Sequence, residues 1–237
     1  MMVPALEPLV ESGLACGGVL LAFAAARWLS ARAGNPPWAS PVLIAAVATG
    51  TALTWLGVPV ARFTAAAWPL RWLLGPALVA LALIIDTNRA VLKSQAMPIL
   101  VAVGSGTAVG IGSALGLARV LGLDRTLAKA LATKTVTTPF AVAIMQTVGG
   151  PTALAAALAV MTGVIGALLV PWLFDRLGIA GPAARALGLG VSSHIVGTDW
   201  LTRRDANAGG LSALAMVLAG IGAALVLPLL WGRLFGG

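Results

Sequence analysis

Residues 133–142 read TKTVTTPFAV, which places a lysine, four threonines and a proline inside a chain rich in alanine, leucine and valine. A proline within a helix removes one backbone hydrogen bond and clashes with the preceding turn. Threonine hydroxyls can bond to the carbonyls that such a break frees, provided that protein or a wet cavity surrounds them. The stretch therefore predicts a helix that is broken near Pro139 and embedded among apolar helices.

The composition of the whole chain is that of a membrane protein. Of its 237 residues, 59% are hydrophobic and 9% are charged, and its mean hydropathy is +1.00. A soluble domain carries about 25% charged residues. Because a soluble fold of this length cannot bury so much apolar surface, we expect an all-α polytopic membrane protein with seven or eight transmembrane segments.

Apolar runs of roughly 20 residues, the length that spans a bilayer, alternate with charged residues or with Gly and Pro. They predict segments at about 8–29, 39–57, 68–86, 96–121, 127–148, 151–174, 183–200 and 209–232. The linkers are too short to hold a soluble domain. We therefore expect a single membrane domain over 1–237, with scaffold spans in 8–94, a repeat-containing transport core in 95–205 and a final span in 206–237.

The tryptophans support this division into segments. Tryptophan favours the membrane–water interface, because its ring is apolar and its N–H needs a polar partner. Each of the eight falls within a few residues of a predicted segment end: Trp28, Trp38, Trp55, Trp68, Trp72, Trp172, Trp200 and Trp231.

Charge and reactive residues exclude several functions. The net charge is +8, but the lysines and arginines lie scattered in short linkers, which indicates juxtamembrane anchoring and no nucleic-acid partner. They occur in nearly every linker, so they do not orient the chain. The single cysteine, Cys16, excludes an intrachain disulfide. We find no HExxH motif, paired carboxylates or metal-ligand cluster, and we expect neither an enzyme nor a bound cofactor.

Two stretches align without a gap at a spacing of about 56 residues. LGLDRTLAKAL at 121–131 pairs with LGIAGPAARAL at 177–187, Gly110 pairs with Gly166, and TKTVTTP lies opposite GVSSHIV. The pattern predicts a repeat of one glycine-rich span and one interrupted segment. The units are parallel if the interrupted segments cross the membrane and inverted if they turn back. We expect inversion, a recurrent transporter design with its site at the midplane.

The first predicted substrate-binding cluster is Lys134, Thr135, Thr137, Thr138 and Pro139. A half-helix that starts near Pro139 directs free N–H groups and a partial positive charge back toward Lys134. These groups predict an anion site with Lys134 as the countercharge. The alternative is a kinked helix whose lysine snorkels to the interface, since Lys134 lies only about 10 Å into its segment.

The second predicted cluster is Ser192, Ser193, His194, Gly197 and Thr198, at the corresponding place in the second repeat unit. His194 is the only histidine of the chain. It is expected to donate a hydrogen bond to a substrate carboxylate or to couple transport to protons. The alternative is a structural histidine whose partners lie within the helix bundle.

The order and spacing of four blocks carry a family resemblance. The blocks are KTVTTPFAV, MTGVIGALLVP, ARALGLGVSSHIVGT and GGLSALAMVLAGIGAALVLPLL. Together with the earlier LLGPALVALAL, they resemble the LrgB/CidB/YohK family over roughly residues 38–232. The residues that match the family's two polar motifs are Lys134, Thr137, Thr138, Pro139, Ser193, His194, Gly197 and Thr198.

The resemblance implies a multi-pass protein of the bacterial inner membrane, made alongside a small LrgA/CidA-type membrane partner. It implies either export or import of small monocarboxylates such as pyruvate, glycolate or glycerate, or holin-like control of murein hydrolases and lysis. Three departures from the family pattern stand out: Asp199 replaces a small residue, WLTRRDAN replaces an acidic run, and Ser40 stands where Asn-Pro is common. Asp199 puts a negative charge near the predicted anion site, which leaves the substrate in doubt.

Two hypotheses follow. The first is a secondary transporter of 2-oxo or 2-hydroxy monocarboxylates, working as a homodimer among membrane lipids, with Lys134 and His194 in matched broken helices. The second is a lysis regulator that oligomerises or forms pores through its glycine-rich helix faces. A pore needs neither a lysine nor a histidine in broken helices, which favours the first hypothesis.

Overall fold

The computed structural model describes residues 7–235, so positions 1–6 and 236–237 of the predicted domain lie outside the described residues. All regular secondary structure in the described range is helical. The chain forms two compact units, of which the first ends at Ala77 and the second begins at Leu78. Whether 8–94, 95–205 and 206–237 act as scaffold, core and final span stays a prediction.

The first unit contains α1 to α4, and α5 runs from its end into the second unit. The bounds are α1 Glu7–Arg32, a 3-10 turn Pro37–Ala39, α2 Pro41–Trp55, α3 Val60–Ala66, α4 Trp68–Trp72 and α5 Leu74–Thr87. Helix α1 packs on α2, α3 and α4. Arg62 on α3 pairs with Glu11 on α1. Both side chains border an apolar groove of about 730 Å³ between α1, α2 and α3.

The second unit contains the remaining helices. Their bounds are α6 Arg89–Ser94, α7 Ala96–Val120, α8 Arg125–Thr133, α9 Thr138–Val148, α10 Thr152–Arg176, α11 Pro182–Thr202 and α12 Ala206–Phe235. Helix α12 packs on α11, α9 and α7. Ile99 of α7 and Leu214 of α12 belong to one buried apolar cluster, and Met145 of α9 and Leu227 of α12 belong to another.

Each of the eight predicted segments corresponds to one helix or to one pair of successive helices, and the all-α membrane fold is confirmed. Five are long and apolar enough to span a bilayer: Pro8–Arg32, Trp68–Thr87, Ala96–Val120, Thr152–Arg176 and Ala206–Gly232. The other three are the shorter α2, the α8–α9 pair and α11, which is irregular at His194. Whether the two interrupted segments cross the membrane or turn back stays a prediction.

The tryptophans lie near helix ends, as predicted, with one difference in environment. Trp55 at the end of α2 is 88% exposed, whereas Trp231 of α12 is 6% exposed. Trp231 lies beneath Lys129 of α8, whose Nζ is 5.9 Å from the ring centroid and donates to the Val148 carbonyl at 3.0 Å. Trp231 therefore packs in the core of the second unit, where it holds α8 and α9 against α12.

The predicted repeat appears in the backbone. Helices α7 and α10 each contain 25 residues, and each is followed by a glycine with positive φ, 62° at Gly122 and 67° at Gly178. The next N–H, of Leu123 or Ile179, donates to the carbonyl five residues earlier. Both ends are thus Schellman caps, in which glycine meets no steric penalty. Since these positions pair in the sequence alignment, the two repeat units, both within the second compact unit, have the same type of helix end.

Candidate functional site

The first break separates α8 from α9. The Asp124 carboxylate caps α8 by accepting a 2.9 Å hydrogen bond from the Leu127 N–H. Lys134 follows the last helical residue, and Thr137 precedes the first turn of α9, which holds Pro139. Proline is favoured there, because the N–H that it lacks would be unpaired in any helix start. The chain is therefore non-helical between Lys134 and Thr137.

Threonine hydroxyls compensate part of this break. Thr133 Oγ1 donates to the Ala130 carbonyl at 2.8 Å, and Thr135 Oγ1 donates to the Ala132 carbonyl at 3.1 Å. The last carbonyls of a helix have no partner within the helix. The hydroxyls thus supply hydrogen bonds where water is scarce.

The second break lies within α11, at His194. This residue has φ 49° and ψ −136°, whereas its neighbours on both sides are helical. A non-glycine residue with such positive φ costs on the order of 1–3 kcal/mol, and such residues cluster at functional sites. The break falls four residues after Gly190, the position that pairs with Lys134 in the repeat. The two interruptions therefore correspond in place but differ in geometry.

Paired glycines bring the apolar helices against the breaks. A Cβ added to Gly110 of α7 would lie 2.9 Å from Thr135 Cγ2. One added to Gly166 of α10 would lie 2.7 Å from the Ser192 carbonyl oxygen. Gly110 and Gly166 pair in the repeat. In each repeat unit the break therefore packs directly against the aligned glycine, Gly110 or Gly166. A side chain with a Cβ would not fit at either position.

Between the breaks lies a cavity of about 750 Å³, within the second unit. Its polar side chains come from four different parts of that unit: the start of α7, the first break, α10 and α11. They are Gln95, Lys134, Thr135, Thr162, Ser192 and His194. The rest of the wall is apolar or glycine. The fold therefore gathers one cation, one imidazole and several hydroxyls in a largely apolar chamber.

Lys134 is the charged group of this chamber. Its side chain is half-buried, and none of the described acidic side chains pairs with it. Those acids have other partners: Glu11 pairs with Arg62, Asp86 with Arg89, Asp175 with Arg185 and Asp199 with Arg203, while Asp124 and Asp205 cap helices. A desolvated cation without a counterion favours the binding of an anion.

His194 is the second unusual group. It is 2% exposed, and neither Nδ1 nor Nε2 has a hydrogen-bond partner within the described structure. The backbone of Thr135, Ala159 and Val191 surrounds the ring without forming a hydrogen bond of good geometry. Leaving a buried polar group unpaired costs about 1–3 kcal/mol. The imidazole is thus a buried group whose hydrogen-bonding capacity is unused within the described structure.

The predicted site residues divide into two groups. Lys134, Thr135, Ser192 and His194 line the cavity. The others do not form its wall: Thr137, Thr138, Pro139, Ser193, Gly197 and Thr198. Of these, Ser193 packs against Gly166, and Thr198 Oγ1 lies 2.9 Å from Ser212 Oγ of α12. In this arrangement these two residues hold the break in position.

Two polar residues of the wall lie outside the predicted clusters. Thr162 lies on α10 one helical turn before Gly166, so it projects from the face that packs on the second break. Gln95 precedes the first turn of α7. Thr162 could have been found from the sequence, because it lies four residues before Gly166 on the same helix face. Gln95 could not, because an amide next to an apolar helix does not by itself indicate a site.

Asp199, which departs from the family pattern, does not face the cavity. Its side chain is exposed and accepts a 3.0 Å hydrogen bond from Arg203 Nε, one turn later on α11. An exposed pair of this spacing neutralises its own charge locally. Asp199 therefore adds no negative charge to the cavity wall, and it does not argue against an anionic substrate.

The backbone of His194 leads to a stability prediction. His194→Gly and His194→Ala both remove the ring, but only glycine adopts the residue's positive φ without strain. We expect the glycine variant to be more stable by about 1–2 kcal/mol, measured as a higher unfolding temperature of the detergent-solubilised protein. The matched pair Ile195→Gly and Ile195→Ala, at a helical position, should show the reverse order. If His194→Ala were as stable as His194→Gly or more stable, the backbone strain at this position would be contradicted.

Comparison with known proteins gives one family and several distant relatives. The model of the LrgB-like family matches residues 19–232. The uncharacterized protein YwbG of Bacillus subtilis is 29% identical over 184 residues, which cover 78% of this chain and 82% of YwbG. The holin-like protein CidB of Staphylococcus epidermidis is 24% identical over 196 residues, covering 83% of this chain and 86% of CidB.

A third relative is the plastidal glycolate/glycerate translocator 1 of Arabidopsis thaliana. It is 29% identical over 149 residues, which cover 62% of this chain and 29% of the translocator. No solved structure matches the chain.

Proposed function

The chain belongs to the LrgB-like family, and from this premise we propose that it is a secondary transporter of small 2-oxo or 2-hydroxy monocarboxylates. One observation carries the proposal. The cavity brings Lys134 from the first break together with His194 from the second, and no described acid neutralises the lysine. A single carboxylate supplies the missing charge.

In the proposed complex, the substrate carboxylate lies against the Lys134 ammonium. The His194 imidazole, together with the hydroxyls of Thr135, Thr162 and Ser192, completes the hydrogen bonding of the carboxylate and of the neighbouring oxo or hydroxyl group. Transport needs no chemical step on the substrate and no cofactor.

The packing beyond His194 supports an alternating-access transporter over an open pore. On that side of the break, Val196, Gly197 and Thr198 are buried. Thr198 contacts Ser212 of α12, and a Cβ added to Gly163 of α10 would lie 3.1 Å from the Ser193 carbonyl. The cavity thus meets close packing at the break, as a substrate site with one closed gate requires.

The second candidate is holin-like control of murein hydrolases and lysis. It is favoured by the relative named CidB, a holin-like protein that aligns over 83% of this chain. It requires pores or oligomers that pass solutes without saturation. A charged lysine and an unpaired imidazole in a half-enclosed cavity have no role in such a pore, which is why we rank transport first.

We further propose that the protein resides in the bacterial inner membrane as a homodimer, with membrane lipid around it and a small LrgA/CidA-type protein as partner. The multi-pass helices support the membrane location. The partner is proposed from the family membership alone, and the dimer from the smooth apolar segments 8–86, which suit a scaffold role.

Uptake of labelled glycolate or pyruvate into proteoliposomes tests the proposal. We expect saturable uptake that unlabelled monocarboxylates inhibit competitively. Protein-free vesicles measure passive leakage, and the entry of labelled sucrose at a similar concentration measures passage through nonselective pores. Non-saturable passage of both acid and sucrose would replace the transport proposal with the holin-like one.

A further inference from the structure

The residues that line the cavity extend along two helices, α7 and α11. A Cβ added to Gly110 of α7 would contact Thr135 at one end of the cavity, and one added to Gly106 would lie 3.2 Å from Val191 Cγ1. Earlier on both helices, Ile99 and Leu187 pack toward one buried cluster. The starts of α7 and α11 therefore lie together. At 1.5 Å per residue, the wall from Gly110 back to residue 98 extends about 18 Å.

Polar and apolar groups separate along this length. Lys134, Thr135, Thr162, Ser192 and His194 all lie at or beside the breaks. The wall that leads away from the breaks is apolar and includes Pro98, Ile99, Ala102, Ala184, Leu187 and Leu211. Gln95, before the first turn of α7, is the polar residue at the far end.

Resting on the proposed function, we infer that the preferred substrates are monocarboxylates that carry an apolar side chain of three or more carbons. The carboxylate lies at Lys134, and the side chain extends along α7 and α11 toward Gln95. This assigns the stretch of wall formed by Ala102, Leu187 and Leu211 as a side-chain subsite.

The size of the cavity supports this subsite. A two-carbon hydroxy acid has about five non-hydrogen atoms, and at the roughly 30 Å³ that one water molecule occupies it fills only about 150 Å³. The cavity measures about 750 Å³. With so small a substrate the apolar wall would remain in contact with water. Burial of each additional methylene against it improves binding about fourfold.

A chain-length series with the wild-type protein tests the inference. Proteoliposomes take up labelled pyruvate at about pH 8, where the acids are ionised and cross lipid slowly. Unlabelled pyruvate, 2-oxobutanoate, 2-oxopentanoate and 4-methyl-2-oxopentanoate compete, and uptake of labelled 4-methyl-2-oxopentanoate is measured directly. We expect the half-inhibitory concentration to fall about fourfold per methylene. Protein-free vesicles correct for diffusion.

Two outcomes separate this inference from the proposed function. Saturable pyruvate uptake with a flat or rising half-inhibitory concentration along the series overturns the side-chain subsite and leaves monocarboxylate transport intact. Absence of saturable uptake for every labelled acid overturns transport, and the subsite with it.

Wall variants locate the subsite. Leu187→Ala removes apolar contact, so the advantage of 4-methyl-2-oxopentanoate over pyruvate should shrink several-fold. Leu168→Ala is the matched control, since Leu168 is 41% exposed on α10 and is not part of the wall. Ala102→Leu narrows the cavity and should raise the half-inhibitory concentration of the long acids more than that of pyruvate. Unchanged selectivity in both wall variants would contradict the assignment.

Discussion

Replacement of Lys134 by methionine is expected to lower the efficiency of saturable monocarboxylate uptake by about 100-fold, since loss of one partner of a buried charge pair costs at least about 2–3 kcal/mol. Methionine keeps an unbranched apolar stem that is one atom shorter than lysine, and it removes the ammonium group. The six acidic side chains that the structure describes, between residues 11 and 205, all have other partners, so no other change in their ion pairing follows. Initial uptake rates in proteoliposomes over a range of substrate concentrations measure the effect.

The control for this variant is Lys93→Met. Lys93 lies in the last turn of α6, is exposed and does not line the cavity. Its loss changes the net charge by the same amount, and we expect wild-type uptake. Lys134→Met protein that is folded and transports as well as the wild type would remove Lys134 from the site.

Gly190→Ala is expected to destabilise the second unit by about 3 kcal/mol, at the upper end of the usual cost of overpacking. A Cβ at this position would lie 2.2 Å from the Ser212 carbonyl oxygen and 3.0 Å from the Ala215 Cβ. The clashing atom belongs to the backbone, so relief requires α11 and α12 to separate. For a protein of this size we expect the unfolding temperature in detergent to fall by about 6–12 °C.

Gly112→Ala is the matched control for the Gly190 variant. A Cβ at Gly112 of α7 would meet nothing within 4 Å. Alanine is the better helix former by roughly 0.5–1 kcal/mol, so this variant should equal or exceed the wild type in stability. Similar unfolding temperatures for the two alanine variants would refute the close approach of α11 to α12.

The sequence predicted the helices and their breaks well, because both follow from local rules. Each span must match the apolar thickness of a bilayer, and Pro139 cannot continue a helix. Gly122 and Gly178 marked equivalent helix ends, because only glycine adopts positive φ without cost. The second break could be placed only to within a few residues. His194 has no local feature that forces φ 49°, so its strain must be imposed by the surrounding packing.

The candidate site was predicted in part. Polar side chains at membrane depth are costly unless they face protein or a cavity, which is why Lys134 and His194 could be selected by type and depth. The sequence did not show that both residues line the same cavity. Thr137 and Thr198 have the same polarity as Thr135, yet only Thr135 lines the wall. Which threonine does so depends on how α7, α10 and α12 pack around the breaks.

What the sequence by itself determined was the kind of protein, the division into helical segments, the repeat and the place of the first break. These depend on hydropathy and on backbone limits that act within a few residues. Only the tertiary structure decided that the two breaks meet at one cavity, that Asp199 turns away from it, and that Gln95 and Thr162 join its wall. These features depend on how closely helices that are far apart in the chain approach one another. The close contacts at Gly110, Gly166 and Gly190 set those distances.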